Sequence, residues 1–257
     1  MIPKIIHYCW FGGNPLPKSA KKCIASWRKY FPDYEIKEWN ESNYDVHKIP
    51  YINEAYNAKK YAFVSDYARF DILYLYGGIY FDTDVEVIKH FDDILKNGGF
   101  MGFESIGMVA TGLGMGCSAR LGIIHQILEF YATLNFINSD GSYNTHTVVT
   151  YVTSILKKHG LRDDNVIQQF DGLVIYPIEY FCPKKFETDE LVITSNTHCI
   201  HHYASSWMPS KEKRKIQAIA KCKNKFTRFW KFFLCITNPI ISLELFFEGR
   251  RRKKAKK

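Results

Sequence analysis

From Ile79 to Ile88 the chain alternates in polarity. Ile79, Phe81, Thr83, Val85 and Val87 fall on one face, and Tyr80, Asp82, Asp84 and Glu86 on the other. A period of two is that of a strand with one buried side, so the pattern predicts one strand with Thr83 toward the core and both aspartates pointing the same way. Just upstream, Ala62, Phe63, Phe70, Leu73 and Tyr74 recur at helical spacing, which predicts a helix over 59–76 stopped by Gly77-Gly78. Asp66 and Arg69, three apart, share a face of it. Residues 2–11 read as a buried strand entering the Gly12-Gly13-Asn14-Pro15 turn, with Trp10 and Phe11 at its C-terminal end. Pro17 to Tyr30 comes next as a helix and Tyr34 to Trp39 as a second strand. That order argues for a parallel α/β half of the kind that binds nucleotides at its strand ends.

Further along, Gly107 to Gly116 is glycine-rich. Helices are predicted over about 121–134 and 148–159, and short strand-like runs over 174–176 and 197–202. No internal repeat is present. From Phe226 to Phe247 the composition turns to Phe, Trp, Leu and Ile, interrupted by Arg228, Lys231, Asn238, Pro239 and Glu244. These interruptions argue against a bilayer span of about 20 apolar residues. An interfacial segment followed by a polybasic tail fits, the second reading being a C-terminal helix packed on the domain with a solvated tail.

Charge changes the picture only at that end. The net charge is +9, and removing the seven basic residues among 250–257 leaves +2, so the anionic partner implied is a membrane surface met by the tail and not nucleic acid. The seven cysteines are odd in number and scattered, without a C-x-x-C pair, which predicts a reducing compartment. The first residues lack the pattern of a signal peptide. Together these predict a cytoplasmic protein, peripheral on the inner face of the plasma membrane.

Two carboxylates on alternate strand positions can reach one hard divalent cation, leaving positions open for phosphate oxygens. Asp82-Thr83-Asp84 alone is a weak signal, since strand ends often carry solvated aspartates. The preceding helix with Asp66 and Arg69, then Gly77-Gly78, strengthens it. His198, Cys199, His201 and His202 offer a zinc alternative, but no second ligand pair stands at matching spacing.

The runs Ile2-Pro3-Lys4-Ile5-Ile6-His7-Tyr8-Cys9-Trp10, Ala62-Phe63-Val64-Ser65-Asp66-Tyr67-Ala68-Arg69 and Tyr74-Leu75-Tyr76-Gly77-Gly78-Ile79-Tyr80-Phe81-Asp82-Thr83-Asp84 resemble glycosyltransferase family 32. This family includes capsular-polysaccharide transferases and fungal initiating mannosyltransferases. More distantly the runs resemble the glucosylating bacterial toxins. The resemblance covers residues 1 to about 102 well, and the segment ending at Trp207 less clearly. It implies an α/β fold, a single nucleotide-sugar transferase domain over 1–221 (GT-A-like, a Rossmann-like mixed sheet flanked by helices). A C-terminal helical tail over 222–257 completes the chain.

By the same resemblance, Asp82 and Asp84 hold Mn²⁺ or Mg²⁺ and contact the donor, Asp66 and Arg69 bind donor-sugar hydroxyls, and Trp10 stacks on the base. In the run His201-His202-Tyr203-Ala204-Ser205-Ser206-Trp207, His202 and Ser205 approach the metal and Trp207 the diphosphate, with His201 as the alternative ligand. The implied reaction moves a hexose from a UDP- or GDP-sugar to a glycan or lipid-linked acceptor hydroxyl with retention, in surface polysaccharide synthesis. Asn144 and His146 are candidates for donor or acceptor selection. A metal-dependent phosphohydrolase using the same aspartates, and a non-catalytic protein binding anionic membrane, are the competing readings.

Overall fold

The computed structural model describes residues 1–186, 188–204, 214, 215 and 218. These fall in two compact units, residues 1–185 and 190–204 in the first and residues 186, 188, 189, 214, 215 and 218 in the second. The 221/222 boundary and the tail both lie outside the described residues, as do Ser205 and Trp207.

Strand β1 (Ile5–Cys9), helix α1 (Lys18–Tyr30) and strand β2 (Glu35–Trp39) come in the predicted order. The two strands pair in parallel, Ile5 opposite Glu35 and Cys9 opposite Trp39. α1 buries Ala20, Cys23, Ile24 and Trp27, a stripe at helical spacing, and Trp27 Nε1 donates to the Val85 carbonyl at 2.8 Å. Helix α2 (Pro50–Asn57), begun by a proline that needs no N–H partner there, leads into α3 (Tyr61–Tyr76). α3 is buried on most sides, Arg69 and Asp71 included. It stops where Gly77 takes φ 64° and its N–H donates to the Leu73 carbonyl at 2.8 Å. A Cβ there would also meet the Ala119 backbone, so glycine is needed twice over.

The single strand predicted over 79–88 is two strands, β3 (Gly78–Tyr80) and β4 (Val85–Val87). Between them Asp82 N donates to the Gly112 carbonyl and Val85 N to the Asp82 carbonyl, so the chain turns through both aspartates. Thr83 is half-buried, not a core residue. Phe81, Val85 and Val87 are all buried, so the alternation survives the break. Polarity records which side chains are buried, whereas the change of ladder partner leaves no mark in it.

Next come α4 (Asp92–Leu95), β5 (Gly99–Ser105), β6 (Met108–Ala110) and β7 (Met115–Cys117), then α5 (Gly122–Ala132) and α6 (Val148–Lys158). β8 (Gln168–Phe170), β9 (Leu173–Tyr176), α7 (Ile178–Phe181) and β10 (Cys199–His201) complete the described elements. Among the described residues eight strands make one mixed sheet, in the order β2-β1-β3-β7-β5-β9-β8 with β6 beside β5, and β10 pairs antiparallel with β4 in a second, two-stranded sheet. β1 pairs in parallel with both β2 and β3, and β5 with β9, while β7 runs antiparallel between β3 and β5.

Each face of the main sheet has its own core. Tyr51, Phe70, Ile127 and Val152 of α2, α3, α5 and α6 cluster with Tyr80 and Met101, whereas Ile24, Trp27, Ile94 and Phe181 of α1, α4 and α7 cluster with Ile79 and Phe100. Successive strand residues thus face opposite layers, giving the expected mixed α/β sheet flanked by helices. Among the described residues no helix is long and apolar enough to cross a membrane.

Candidate functional site

Because β1 and β3 are parallel neighbours, the turn after β1 and the segment after β3 leave the sheet at the same edge. α3 runs back against β3, which brings its N-terminal half to that edge. Gly12 lies against the Tyr61 ring that opens α3, and Gly12 N donates to Glu41 Oε1 at 2.6 Å.

Arg69 is the hub of the site. Its side chain is 4% exposed, and Nη2 stands 2.8 Å from Asp66 Oδ1 and 3.3 Å from Asp82 Oδ1. Nε donates to the Ser65 carbonyl at 3.1 Å and Nη1 to Thr111 Oγ1 at 3.0 Å. The guanidinium carbon lies 5.0 Å above the Tyr80 ring, whose hydroxyl donates to Asp82 Oδ1 at 3.1 Å. Of its five N–H groups, two are hydrogen-bonded to protein acceptors, and Nη2 stands between the two carboxylates as an ion pair. Burial works against its charge, but Asp82, Tyr80 and Asp66 outweigh that and hold it protonated. Burial raises the Asp66 carboxyl to about 6 despite the opposing pull of Arg69, with Asp82 adding to the rise. A group so placed is a sensitive acceptor near neutral pH.

Gly112 makes room for this arrangement. A Cβ there would collide with Asp82 Oδ2, and Arg69 Nη1 lies just beyond. Tyr80, Thr111 and Gly112 were not singled out from the sequence as site residues. The alternation did put Tyr80 on the face of Asp82, and the glycine-rich run 107–116 marked the segment holding the other two.

Asp84 is fixed from the other side. Oδ2 accepts from Ala204 N at 2.7 Å and Oδ1 lies 3.2 Å from His201 Nε2. Burial would raise its pKa, but His201 and the backbone donors outweigh this and hold the carboxyl at about 2. Burial likewise opposes charge on His201, and Asp84 reverses the balance and raises its pKa. His201 Nδ1 is buried without a hydrogen-bond partner among the described residues. One ligand atom from each of Asp82, Asp84 and His201 lies within 4.8 Å of the others.

Two carboxylate oxygens and an imidazole nitrogen form a mixed hard and borderline donor set that suits Mn²⁺, and less well Mg²⁺, which prefers oxygen alone. The convergence of the three ligand atoms fits such an ion.

The two histidines are placed differently. His201 faces Asp84, whereas His202 Nε2 lies 2.7 Å from Glu86 Oε2 and only its backbone N–H reaches the Asp84 carbonyl. His201 ends β10 and His202 is the residue after it, and their rings reach different carboxylates. His198 binds Asp93 and the Asn196 carbonyl, and Cys199 Sγ faces backbone carbonyls, so the zinc alternative has no converging set among the described residues. Trp10 is half-buried at the strand end, with Nε1 donating to the Asn14 carbonyl at 2.6 Å. Asn144 accepts from the Tyr151 hydroxyl and donates to the Asn135 carbonyl within its own loop, and His146 is exposed.

Residues 17–101 match the family described as glycosyltransferase sugar-binding region containing DXD motif. A glycosyltransferase of Acanthamoeba polyphaga mimivirus is 26% identical over 84% of this chain and 88% of its own length. Inositol phosphoceramide mannosyltransferase 1 of Schizosaccharomyces pombe is 30% identical over 39% of this chain, which spans only 33% of that relative. Among solved structures, one described as PaToxG glycosyltransferase aligns with 61% of this chain and 69% of its own, at 18% identity and a TM-score of 0.49.

Proposed function

We propose that this chain, a glycosyltransferase carrying a DXD-containing sugar-binding region, moves a hexose from a nucleoside-diphosphate sugar to the hydroxyl of a glycan or lipid-linked acceptor, with Mn²⁺ or Mg²⁺ held by Asp82, Asp84 and His201. The observation that carries this reading is the convergence of those three side chains, with Arg69 joining Asp82 to Asp66 on the sugar side.

A bound divalent cation would take up negative charge as the diphosphate leaves. The protein's own part is positional. Arg69 and the Tyr80 hydroxyl hold Asp82 in place, and the Ala204 N–H and His201 hold Asp84. Asp66, with no protein donor to Oδ2 among the described residues, accepts from a sugar hydroxyl. Arg69 sets the position of that carboxylate beside the sugar. Trp10 offers a ring face at the edge where a uracil or guanine base would stack. Retention of configuration rests on the family resemblance. Ser205 as a further ligand and Trp207 at the diphosphate rest on the same ground.

The Schizosaccharomyces pombe relative is named for mannosyl transfer to inositol phosphoceramide, which fits both the hexose and the lipid-linked acceptor. A role in surface or capsular polysaccharide synthesis, with the basic C-terminus on an anionic inner membrane face, fits the sequence of residues 226–257. Removing residues after Lys225 should abolish binding to anionic vesicles without loss of donor turnover.

The test of the reaction is a panel of UDP- and GDP-hexoses incubated with the purified protein, with and without Mn²⁺. The expected result is metal-dependent release of the nucleoside diphosphate from one donor above the others. Phosphate release from simple esters without donor preference would favour a phosphohydrolase instead.

A further inference from the structure

Packed against α3, the helix that carries Asp66, are two tyrosines whose hydroxyls have no partner among the described residues. Tyr51, on α2, and Tyr131, on α5, are both 0% exposed, and among the described residues neither phenolic oxygen has a hydrogen-bond partner. Buried hydroxyls are rarely left so, because an unmatched one loses its hydration with no bond gained in return. Phenylalanine would fill the same volume without that cost. The two rings stand edge to face with centroids 5.2 Å apart. Tyr131 also packs 5.8 Å from Tyr67 and 6.3 Å from Phe70, the α3 residues that come after Asp66 along the helix. The other rings touching the pair are Phe136, beside Tyr51, and Tyr151, whose own hydroxyl is satisfied by Asn144.

What the two phenols share is Asp66. Both titrate above the ordinary tyrosine value, from burial first and the Asp66 carboxylate next. Arg69 acts on Tyr131 in the opposite sense. Asp66 in turn uses only Oδ1 on Arg69, and among the described residues nothing donates to Oδ2. Two buried donors without an acceptor thus lie against the helix that carries a carboxylate oxygen without a donor among the described residues.

We propose that Tyr51 and Tyr131 are positioning residues for Asp66, their hydroxyls aiming its carboxylate, through one shared water, at the donor sugar. This inference rests on the reading of Asp66 as a sugar-hydroxyl acceptor. Three helices then converge on one carboxylate. α3 carries Asp66, and α2 and α5 supply the hydroxyls that stop it from rotating about its side-chain bonds. Neither tyrosine touches the sugar.

The test removes one oxygen at a time, in Tyr51→Phe, Tyr131→Phe and the double variant. Melting temperature is measured with kcat and KM for the donor, in wild-type and Asp66→Asn backgrounds. The carboxyl ¹³C resonance of Asp66, assigned by its loss in Asp66→Asn, gives a readout free of activity. The expected result is an unchanged or raised melting temperature, a fall in donor kcat/KM of about tenfold per hydroxyl, no further fall in the Asp66→Asn background, and a shifted Asp66 resonance. Unchanged kinetics and an unmoved resonance would overturn the proposal, whatever the stability. If the wild-type protein turns over no nucleotide-sugar, the functional reading fails by itself and the Asp66 resonance alone decides the positioning.

Discussion

Nη2 of Arg69 lies 3.3 Å from Oδ1 of Asp82, and that one contact ties the helix before the strand to the aspartate after it. The same nitrogen holds Asp66 at 2.8 Å, so a single buried cation sets the spacing of two carboxylates with separate tasks.

Arg69→Met should therefore cost stability as well as activity. It leaves Asp66 and Asp82 facing each other without their shared cation, and breaking such a pair costs about 3 kcal/mol or more. Urea unfolding reads the loss. Arg69→Lys should recover part of the stability but little activity, because an ammonium cannot span Asp66, Asp82, Thr111 and the Ser65 carbonyl together. Arg69→Met as stable as wild type would contradict the hub role.

Gly112→Ala should fold and yet fail. The new methyl group would displace the Asp82 carboxylate, and a misplacement of about 1 Å at a reacting centre can cost roughly 100-fold in rate. Donor turnover at saturating Mn²⁺, set beside an unchanged circular dichroism spectrum, checks this.

These two residues show where the sequence was informative and where it was not. The helix with Asp66 and Arg69 was legible because its apolar spacing is regular and Gly77 ends it. So was the polarity alternation around Asp82 and Asp84. The break at Phe81–Asp84 was not, because the same side chains are buried on either side of it. β5, β6 and β7 went unread for a related reason. Glycines such as Gly99, Gly102 and Gly116 lower strand propensity, and they are there because neighbouring rings and backbone come close. Spacing alone could not choose between His201 and His202. Strand direction settles which faces Asp84, and only the pairing of β10 with β4 reveals it.

His201→Ala should weaken Mn²⁺ binding by at least about tenfold, a loss that removal of even an outer-shell partner can cause. His202→Ala should leave binding close to wild type, since that ring faces Glu86. Titration calorimetry with Mn²⁺ distinguishes them, and the reverse order would contradict the placement.

Stability should depend on pH through His7, far from any of these groups in role. The ring is 0% exposed, Trp39 Nε1 donates to its Nδ1 at 3.1 Å, and its Nε2 faces the Gly77 carbonyl at 2.9 Å. Burial lowers its pKa to about 4 from an ordinary 6.5, the Gly77 bond opposing this in part. The unfolded chain then binds more protons between those values, so this contribution is complete above about pH 6.5 and lost as pH falls toward 4. The full shift corresponds to roughly 3 kcal/mol. The His201–Asp84 pair acts in another window, since a raised histidine pKa stabilises below 6.5 and is lost as pH rises through its folded value. The raised Asp66 carboxyl gains stability as pH falls from about 6 toward 3.8 and opposes this in both proteins, so from pH 7.5 to 5 the urea midpoint of wild type should fall relative to that of His7→Gln. Equal slopes would contradict it.

The most direct test of the account is the rate of nucleoside diphosphate release from the preferred donor, measured with Mn²⁺ and with chelator, in wild type, Asp82→Asn and Asp84→Asn. Turnover is expected in wild type only with metal, with a loss of about 100-fold or more in either variant and the fold intact. Full wild-type turnover in chelator, or undiminished turnover in both variants, would contradict it.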